Sequence, residues 1–383
     1  MNRNPGLYVH VPFCSAVCPY CDFAVVTDDG DRRKRYVERL LRELEARTEL
    51  TGFDTLYFGG GTPSLLASDD LHRIHERASL TEDAHVFLEA NPEDVNESSL
   101  AGWRTLGVST LSLGIQSFDD DALSFLGRRH TGADGHAAIQ AARDVGFETL
   151  SIDLIFGLPD QSLPSWHKTL GSALAHQPDH ISCYQLTIHE ETLFGRHQRE
   201  GKLREAGEDV QAELFLETHR VLADAGYLGY EVSNFARGRE HRSKQNEKYW
   251  NHIPYLGIGP SAHSFDGRTR SWNTRSLFSW QKQIDSGACA IEGEETLDDD
   301  ALLLETIMLR LRTADGLDFD DVAERFQLDL LHCNRELVDR LCEEKLVELS
   351  GRRLRPTVEG LAVADSLATS FELPGDRWQQ TLR

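Results

Sequence analysis

Three closely spaced cysteines, Cys14, Cys18 and Cys21, are the residues of this chain whose types and spacing most clearly indicate chemistry. They follow a short apolar stretch, and thiolates this close together are expected to bind one metal centre. A structural zinc ion needs four protein ligands, so a zinc site would need a further ligand such as His10 or Asp22. A [4Fe-4S] cluster held by three cysteines leaves one iron open to a small molecule. The spacing therefore favours a reactive cluster and keeps a zinc site as the alternative.

The other cysteines occur singly and are interpreted as ordinary thiols: Cys183, Cys289, Cys333 and Cys342. A free cysteine packs like a small hydrophobic residue. A disulfide framework is not expected, because seven cysteines in a long chain without a signal peptide do not follow the pattern of a small secreted scaffold.

Length and composition indicate a globular protein of about two or three domains. The chain has 383 residues, of which 40% are hydrophobic. Its formal net charge of −23 argues against a nucleic-acid partner, because phosphate binding draws on clustered lysine and arginine. No stretch approaches about 18 uncharged apolar residues, and the first residues contain no apolar segment. We therefore expect a cytoplasmic protein with no direct membrane anchor.

Short apolar runs alternate with amphipathic segments through the first half of the chain. The apolar runs predict strands at Leu7–Val11, Thr55–Phe58, His85–Glu89, Thr110–Ile115, Thr149–Ile155 and His180–Leu186. The amphipathic segments predict helices over Arg33–Leu50, Ser68–Ala78 (with Ser68 as N-cap), Gly132–Val145 and Pro164–Ala175. This alternation favours a parallel sheet with right-handed crossovers, and hence an α/β fold with a partial or complete β/α barrel.

Glycine-rich or polar segments follow several of the predicted strands. They are the cysteine loop, Gly59–Pro63, Glu89–Glu93, Gln116 and Gly157–Pro159. In β/α barrels the chemistry lies on loops at the carboxyl ends of the strands. Successive glycines let backbone N–H groups approach a ligand, although such a run also forms plain turns. These positions together predict one shared site at the rim of the barrel.

Motifs over nearly the whole chain resemble those of radical S-adenosylmethionine (SAM) proteins. Besides the cysteine run and Gly59–Pro63, the matching runs are Glu89–Glu93, Ser112–Phe118, Leu126–His130, Asp153–Pro159, Tyr230–Phe235 and Gly257–Pro260. More narrowly, the chain resembles the HemN/HemW family, which contains oxygen-independent coproporphyrinogen III oxidases and related heme chaperones. The resemblance implies a radical SAM partial β/α (TIM-like) barrel with a C-terminal winged-helix-like helical domain.

The resemblance also implies the cofactors and their ligands. The three cysteines would hold a [4Fe-4S] cluster whose open iron chelates SAM, and the reduced cluster would release a 5'-deoxyadenosyl radical. The residues that match SAM-binding positions are Tyr8, Tyr20, Gly60, Gly61, Thr62, Glu89, Gln116, Arg128 and Asp153. Carboxylates would suit the ammonium and ribose hydroxyls of SAM, and Arg128 would suit its carboxylate.

Two features separate the oxidases from the chaperones of this family. The oxidases carry a fourth cysteine two residues beyond the third, where this chain has Phe23. They also carry a long N-terminal extension, whereas thirteen residues precede Cys14 here. We therefore expect a heme chaperone that transfers heme to respiratory hemoproteins. A coproporphyrinogen III oxidase and a zinc-stabilised barrel without redox chemistry are the alternatives.

Chaperones of the family typically carry a His-Asn-x-x-Tyr-Trp run implicated in heme binding. The corresponding residues here are Gln245, Asn246, Tyr249 and Trp250. Because glutamine cannot replace imidazole as a strong ligand of heme iron, nearby histidines are candidates as well. These are His241, His252 and His263.

After residue 297 the pattern changes to helices at Ala301–Leu311, Phe319–Phe326 and Leu330–Lys345, a hairpin at 346–356 and a helix from Val358. This order predicts a winged-helix-like module. Between Leu297 and Glu372, 18 acidic residues against 9 basic ones would repel a nucleic acid. The expected division is a barrel core at 1–190, an accessory segment completing the core at 191–296 and the C-terminal domain at 297–383.

Overall fold

The structure is a computed structural model that describes residues 4–373, so the ends of the predicted first and last domains, 1–3 and 374–383, lie outside the described residues. Its strands are β1 (Gly6–Val11), β2 (Phe13–Cys14), β3 (Val26–Thr27), β4 (Phe53–Gly60), β5 (Leu80–Ala90), β6 (Val108–Gln116), β7 (Thr149–Phe156), β8 (His180–Gln185), β9 (Leu228–Gly229), β10 (Asn234–Ala236), β11 (Tyr255–Ile258), β12 (His263–Phe265), β13 (Thr269–Asn273), β14 (Ile291–Thr296), β15 (Leu317–Asp318), β16 (Val347–Ser350) and β17 (Arg353–Pro356).

The helices alternate with these strands through the first half of the chain and dominate its last part. They are α1 (Gly30–Ala46), α2 (Ser68–Arg77), α3 (Glu97–Leu106), α4 (Asp120–Phe125), α5 (Gly132–Val145), α6 (Leu163–Ala175), α7 (Leu193–Arg199), α8 (Glu208–Asp224), α9 (Lys244–Trp250), α10 (Leu277–Asp285), α11 (Asp299–Leu311), α12 (Phe319–Phe326), α13 (Leu330–Cys333), α14 (Arg335–Glu343), α15 (Val358–Ala362) and α16 (Ala364–Thr369).

The six predicted strands form the centre of one large sheet. They are β1, β4, β5, β6, β7 and β8, and they lie side by side in that order, each parallel to the next. The crossovers between them are helical, as the alternation requires. The prediction of an α/β fold with a parallel sheet is therefore confirmed. The carboxyl ends of all six strands point to the same edge, where the candidate site lies.

The segment between residues 191 and 296 extends the sheet at both ends. On one side β11 pairs parallel to β1, followed by antiparallel β12, β13 and β14. On the other side β10 and β9 continue antiparallel from β8. The complete order is β14-β13-β12-β11-β1-β4-β5-β6-β7-β8-β10-β9.

Packing of the barrel follows the apolar spacing of its elements. Helix α1 buries an apolar face formed by Tyr36, Val37, Leu40, Leu41 and Leu44 in the barrel core. The parallel strands bury apolar side chains on one face, such as Leu111, Leu113 and Ile115 of β6, whereas the alternate residues of β6 are only half-buried. This core fixes the strand ends from which the site loops emerge.

The C-terminal helices have a hydrophobic core of their own. It runs from Leu303 to Phe371 and is closed by the three-stranded sheet β15-β17-β16. The predicted helix Leu330–Lys345 is divided into α13 and α14, because Asn334 has non-helical dihedral angles. The hairpin of β16 and β17 occupies the predicted wing position.

The boundaries of helices α1 and α2 differ from the sequence prediction. Helix α1 begins at Gly30, after the capping carboxylate of Asp29, and ends at Ala46 instead of continuing to Leu50. Ser68 is the first helical residue of α2 and does not cap it; the N-cap is Ala67, without a side-chain cap. The prediction for Ser68 was wrong because a capping residue must precede the helix and accept a hydrogen bond from its first turn.

Candidate functional site

One cavity of about 410 Å³ lies at the carboxyl ends of the parallel strands. Its volume falls within the range of about 300–1,000 Å³ that is usual for ligand sites. Its wall contains the three cysteines and all but one of the predicted SAM residues: Cys14, Cys18, Tyr20, Cys21, Gly60, Gly61, Thr62, Glu89, Gln116, Arg128 and Asp153. The structure thus brings together residues that lie far apart along the chain. Their roles as ligands stay predictions.

The cysteine loop packs tightly against the glycine loop after β4. A Cβ atom on Gly61 would lie 2.6 Å from the carbonyl oxygen of Phe13 and 3.0 Å from Cys14 Sγ. A side chain at this position is therefore excluded by its neighbours. The absence of a side chain lets the backbone of the glycine loop lie at the edge of the thiol cluster, while the Gly61 N–H donates to the Val11 carbonyl oxygen at 2.8 Å.

The three thiols suit a cluster as a donor set. Burial raises the pKa of Cys14 to about 11, and it also raises the pKa of Cys21. Metal binding requires thiolates, so loading this site releases protons. Within residues 4–373, no group of three or more His, Cys, Asp and Glu side chains is arranged to hold a single metal ion. A four-iron cluster needs no such arrangement, because each cysteine binds a different iron.

Two buried carboxylates lie on the strands below the cysteine loop. Glu89 accepts hydrogen bonds from the Tyr57 hydroxyl at 2.6 Å and from the Gly60 N–H at 3.3 Å. Burial nevertheless raises the pKa of Glu89 to about 7. Asp153 accepts a hydrogen bond from Ser112 Oγ at 3.1 Å, and burial raises its pKa to about 6. Carboxylates held in this way suit a cationic ligand, which would favour their charged form.

Arg128 connects the carboxylate region to the cysteines. Its Nη1 lies 3.6 Å from Cys18 Sγ, and its Nη2 donates to the carbonyl oxygen of Gly114 at 3.0 Å and to Asn91 Oδ1. Its buried Nε has no hydrogen-bond partner among the described residues. A buried donor left open in this way fits an anionic group of a bound ligand.

Gln116 shows a second polar atom without a partner. Its backbone has a φ of 63°, a left-handed conformation that is unusual for a residue other than glycine. Its buried Oε1 makes no hydrogen bond within the described part of the chain. Strain and an open acceptor at the same residue are typical of a ligand contact. Together with Arg128, this position indicates that the cavity suits a polar ligand such as SAM.

Tyr8 differs from the other predicted SAM residues. It lines a neighbouring cavity of about 420 Å³ and not the cavity of the cysteines. Its ring stacks on Tyr57 with centroids 5.8 Å apart, and Tyr57 in turn donates to Glu89. Tyr8 therefore packs on the Tyr57 ring and affects Glu89 only through that ring.

The predicted heme residues do not form one site. Gln245 is fully buried. Its Oε1 accepts a hydrogen bond from Thr55 Oγ1 at 2.5 Å, and its Nε2 donates to the Tyr249 hydroxyl at 2.9 Å. Because both polar groups of this buried side chain are bonded to protein groups, a heme iron cannot reach it. Asn246 and His241 line a small inner cavity of about 60 Å³, too small for a macrocycle.

The remaining heme candidates also point in different directions. Trp250 packs edge to face on Tyr230. His252 packs near Phe265, and its Nε2 lies 3.5 Å from Glu305. Tyr249 and His263, in contrast, line the 420 Å³ cavity beside Tyr8.

Several residues of the site were not singled out from the sequence. Tyr57, Asn91 and Ser112 hold Glu89, Arg128 and Asp153 respectively. Tyr57 lies two residues before Gly59 on β4, so strand alternation could have placed both on one face. Ser112 begins one of the quoted motifs, and Asn91 lies inside another.

Comparison with known proteins gives the family. The family model of the Radical SAM superfamily matches residues 8–172. The chain is 36% identical over 329 residues to the heme chaperone HemW of Synechocystis sp., which covers 81% of this chain and 78% of that protein. It is 31% identical to HemW of Lactococcus lactis over 97% of this chain and 98% of that protein. This chain belongs to the HemN/HemW family of radical SAM proteins. The cofactors of the family are a [4Fe-4S] cluster and SAM. The three thiols fit the cluster, and the buried polar atoms of the cavity that lack a partner among the described residues fit SAM.

Other members of the HemN/HemW family extend the comparison over the whole chain. The mitochondrial radical S-adenosyl methionine domain-containing protein 1 of Bos taurus is 34% identical over 99% of this chain and 90% of its own length. The HemN C-terminal domain model matches residues 297–363. The solved structure of coproporphyrinogen III oxidase (HemN) from Escherichia coli superposes with a TM-score of 0.82 at 23% identity, over 96% of this chain and 89% of that chain. That likeness confirms the fold. No helix in the described part of the chain is long and apolar enough to cross a membrane.

Proposed function

We propose that this protein is a heme chaperone that uses its barrel site to hold a [4Fe-4S] cluster and SAM, and that it delivers heme to respiratory hemoproteins. The observation that carries the proposal is the near full-length similarity to proteins named heme chaperone HemW. The chain also has Phe23 where the oxidases of the family have a fourth cysteine. A coproporphyrinogen III oxidase and a zinc-stabilised barrel are the alternatives that the experiment must distinguish.

The residues of the cavity would divide the binding of the cofactors among them. Cys14, Cys18 and Cys21 would bind the cluster, and the backbone of the loop at Gly60 and Gly61 would lie against SAM. The buried carboxylates and Arg128 supply the opposite charges that an amino acid ligand requires. When bound, the cluster and SAM supply one-electron chemistry. The protein contributes the binding groups.

The proposal is tested by anaerobic purification followed by two additions. We expect iron and inorganic sulfide in near-equal amounts, a heme absorption band after hemin is added, and no protoporphyrinogen after coproporphyrinogen III is added with SAM and a reductant. Rapid conversion of the porphyrinogen would assign the chain to the oxidases. Stoichiometric zinc without sulfide would leave only the barrel architecture.

The recipient of heme and the compartment belong to the same proposal. A cytoplasmic location suits an oxygen-labile cluster and a set of free cysteines. Heme-loaded protein, separated from free hemin, is mixed with the heme-free form of a respiratory cytochrome. We expect the cytochrome spectrum to appear as the heme band of the donor declines. A donor that retains all of its heme would contradict the transfer step.

A further inference from the structure

A second cavity lies directly beside the cysteine cavity and is not used by the cofactors. It has a volume of about 420 Å³ and is formed by β1, the segment after Cys21, α9, β11, β12 and the segment between β13 and α10. Asp22, Phe23 and Gly60 line both cavities. The two cavities are therefore neighbours that share a wall.

Aromatic rings form much of the second cavity. Tyr8, Tyr249 and Tyr255 line it, and the rings of Tyr249 and Tyr255 pack edge to face with centroids 4.7 Å apart. Phe23 stands at the shared wall with 62% of its surface exposed, although a phenyl ring is normally buried. Flat apolar walls and an exposed ring suit a planar, largely apolar ligand.

Two polar side chains give the cavity a specific chemistry. Arg275 is exposed, and its Nη2 donates to the Asp22 carbonyl oxygen at 2.5 Å. The other N–H groups of the guanidinium do not take part in this bond. A guanidinium at the rim of an aromatic cavity suits a carboxylate on the ligand. The Asp22 carboxylate also lines the cavity but lies 3.6 Å from His189 Nε2.

Two histidines line this cavity, and they differ in whether their ring nitrogens are bonded to described residues. His10 is buried, and its nitrogens are occupied by the Ala24 carbonyl oxygen at 3.0 Å and by the Tyr8 hydroxyl at 3.3 Å. His263 is exposed on β12, and its ring nitrogens make no hydrogen bond to any described residue. Partial burial lowers the pKa of His263, which favours the neutral imidazole. A neutral, accessible imidazole is the usual protein ligand of heme iron.

We propose that this second cavity is the heme site, with His263 as the iron ligand, Arg275 as the partner of a heme propionate, and Tyr249 and Phe23 as packing surfaces. The inference rests on the proposed function, since it names where a heme chaperone would bind its cargo. It also moves the iron ligand from the predicted Gln245–Trp250 run to a strand on the other side of α9. Cargo and cluster would then lie on either side of Phe23.

The test uses the full chain with its cluster in place and follows hemin titrations by absorbance. We expect His263→Ala to weaken hemin binding by about tenfold or more and to alter the position of the heme band. Arg275→Gln should weaken binding by about tenfold while the band of the imidazole-bound iron is kept. His263→Cys should restore binding with the different spectrum of a thiolate-ligated heme.

Matched controls distinguish a failure of the proposed heme site from a failure of the proposed function. His332→Ala on α13 and Arg355→Gln on β17 change exposed residues of the C-terminal domain, and both variants should bind hemin like the unaltered protein. Iron, sulfide and SAM binding are measured for every variant, and unchanged values show that the barrel is intact. If the unaltered protein binds no hemin, the proposed function fails. If it binds hemin and His263→Ala gives the same affinity and spectrum, only the heme site proposed here is wrong.

Discussion

At the scale of single residues, the cysteines of the barrel loop differ from the other thiols in their surroundings. Cys18 lies in the cavity wall 3.6 Å from Arg128 Nη1, whereas Cys289 is exposed and does not belong to that wall. Cys18→Ala removes one of three ligands, so we expect the anaerobically reconstituted protein to lose its iron and sulfide. Cys289→Ala should retain both. Full iron and sulfide content in Cys18→Ala would contradict the cluster assignment.

A second prediction concerns the charge of Glu89. Burial raises its pKa to about 7, so in the empty protein the carboxyl is protonated below that pH. Only the carboxylate attracts the ammonium of SAM, and SAM affinity should therefore rise with pH. We expect binding roughly tenfold weaker at about pH 6 than at about pH 8, because each pH unit below the pKa reduces the ionised fraction up to tenfold.

Glu89→Gln is the matched variant for this titration. It should bind SAM weakly and lose the pH dependence near 7, while the dependence that comes from Asp153, whose pKa is about 6, remains. Isothermal titration calorimetry under anaerobic conditions measures both series. An unaltered protein with equal affinity at both ends of the range would show that Glu89 is not a charged ligand.

The sequence was sufficient for the residues of the cysteine cavity but not for those of the second cavity. Most cofactor residues lie on the parallel strands or in the loops that follow them, and parallel strands bring their carboxyl ends to one edge. The second cavity instead combines Phe23 with Tyr249 and Arg275, which follow it by more than two hundred residues and share no repeat with it. The burial of Gln245 likewise follows from its contact with Thr55, which no local pattern contains.

At the scale of elements, helix α1 is joined to the added strands by a buried carboxylate. Glu43 accepts hydrogen bonds from the Gly259 N–H at 2.8 Å, Asn273 Nδ2 at 2.6 Å and Trp280 Nε1 at 3.1 Å. These donors come from the loop after β11, from β13 and from α10. One carboxylate therefore fixes three elements that sequence periodicity did not assign.

Glu43→Gln should destabilise the protein by about 2 kcal/mol, because the amide turns an N–H group toward at least one of these buried donors. Glu38→Gln alters an exposed carboxylate on the same helix, paired with Arg73, and should change the free energy of unfolding by less than about 0.5 kcal/mol. Urea denaturation followed by tryptophan fluorescence measures both. Equal stabilities of the two variants would show that the Glu43 contacts contribute nothing.

The elements themselves were predictable where the apolar pattern was long. All six parallel strands and helices such as α5 occupy the expected positions, because buried strands read as continuous apolar runs. The strands between residues 228 and 273 have two to five residues each and antiparallel partners. Such short segments are positioned by the sheet edge they extend and carry little periodicity of their own. Their existence could not be inferred before the central sheet was known.

At the scale of the whole molecule, two hydrophobic cores are joined by polar contacts and also by apolar packing, since Leu361 of α15 belongs to the barrel cluster. The barrel core and the C-terminal core are separate clusters of buried side chains. Backbone bonds cross between them from Val232 N–H to the Arg312 carbonyl and from Ala314 N–H to the Tyr230 carbonyl, each at 3.1 Å. Glu305 on α11 adds an ion pair, with Arg270 of β13 at 2.8 and 3.0 Å and His252 at 3.5 Å.

The Glu305 contacts predict how firmly the C-terminal helices are held. Although partial burial raises its pKa, the hydrogen bonds from His252 and Arg270 lower it to about 2. A depressed acid pKa contributes stability that is complete above about pH 5 and declines as the pH falls toward 2. Because the site is partly exposed to solvent, we expect Glu305→Gln to reduce the free energy of unfolding at pH 7 by only about 1 kcal/mol.

The same variant should come closer to the unaltered protein as the pH is lowered, since both then carry a neutral side chain at this position. Urea denaturation at neutral pH and at the lowest pH where the protein stays folded measures the two differences. Glu324→Gln, an exposed change on α12, should leave stability unaltered at both. A loss in Glu305→Gln that is independent of pH would mean that packing of the side chain, and not its charge, attaches the C-terminal helices to the barrel.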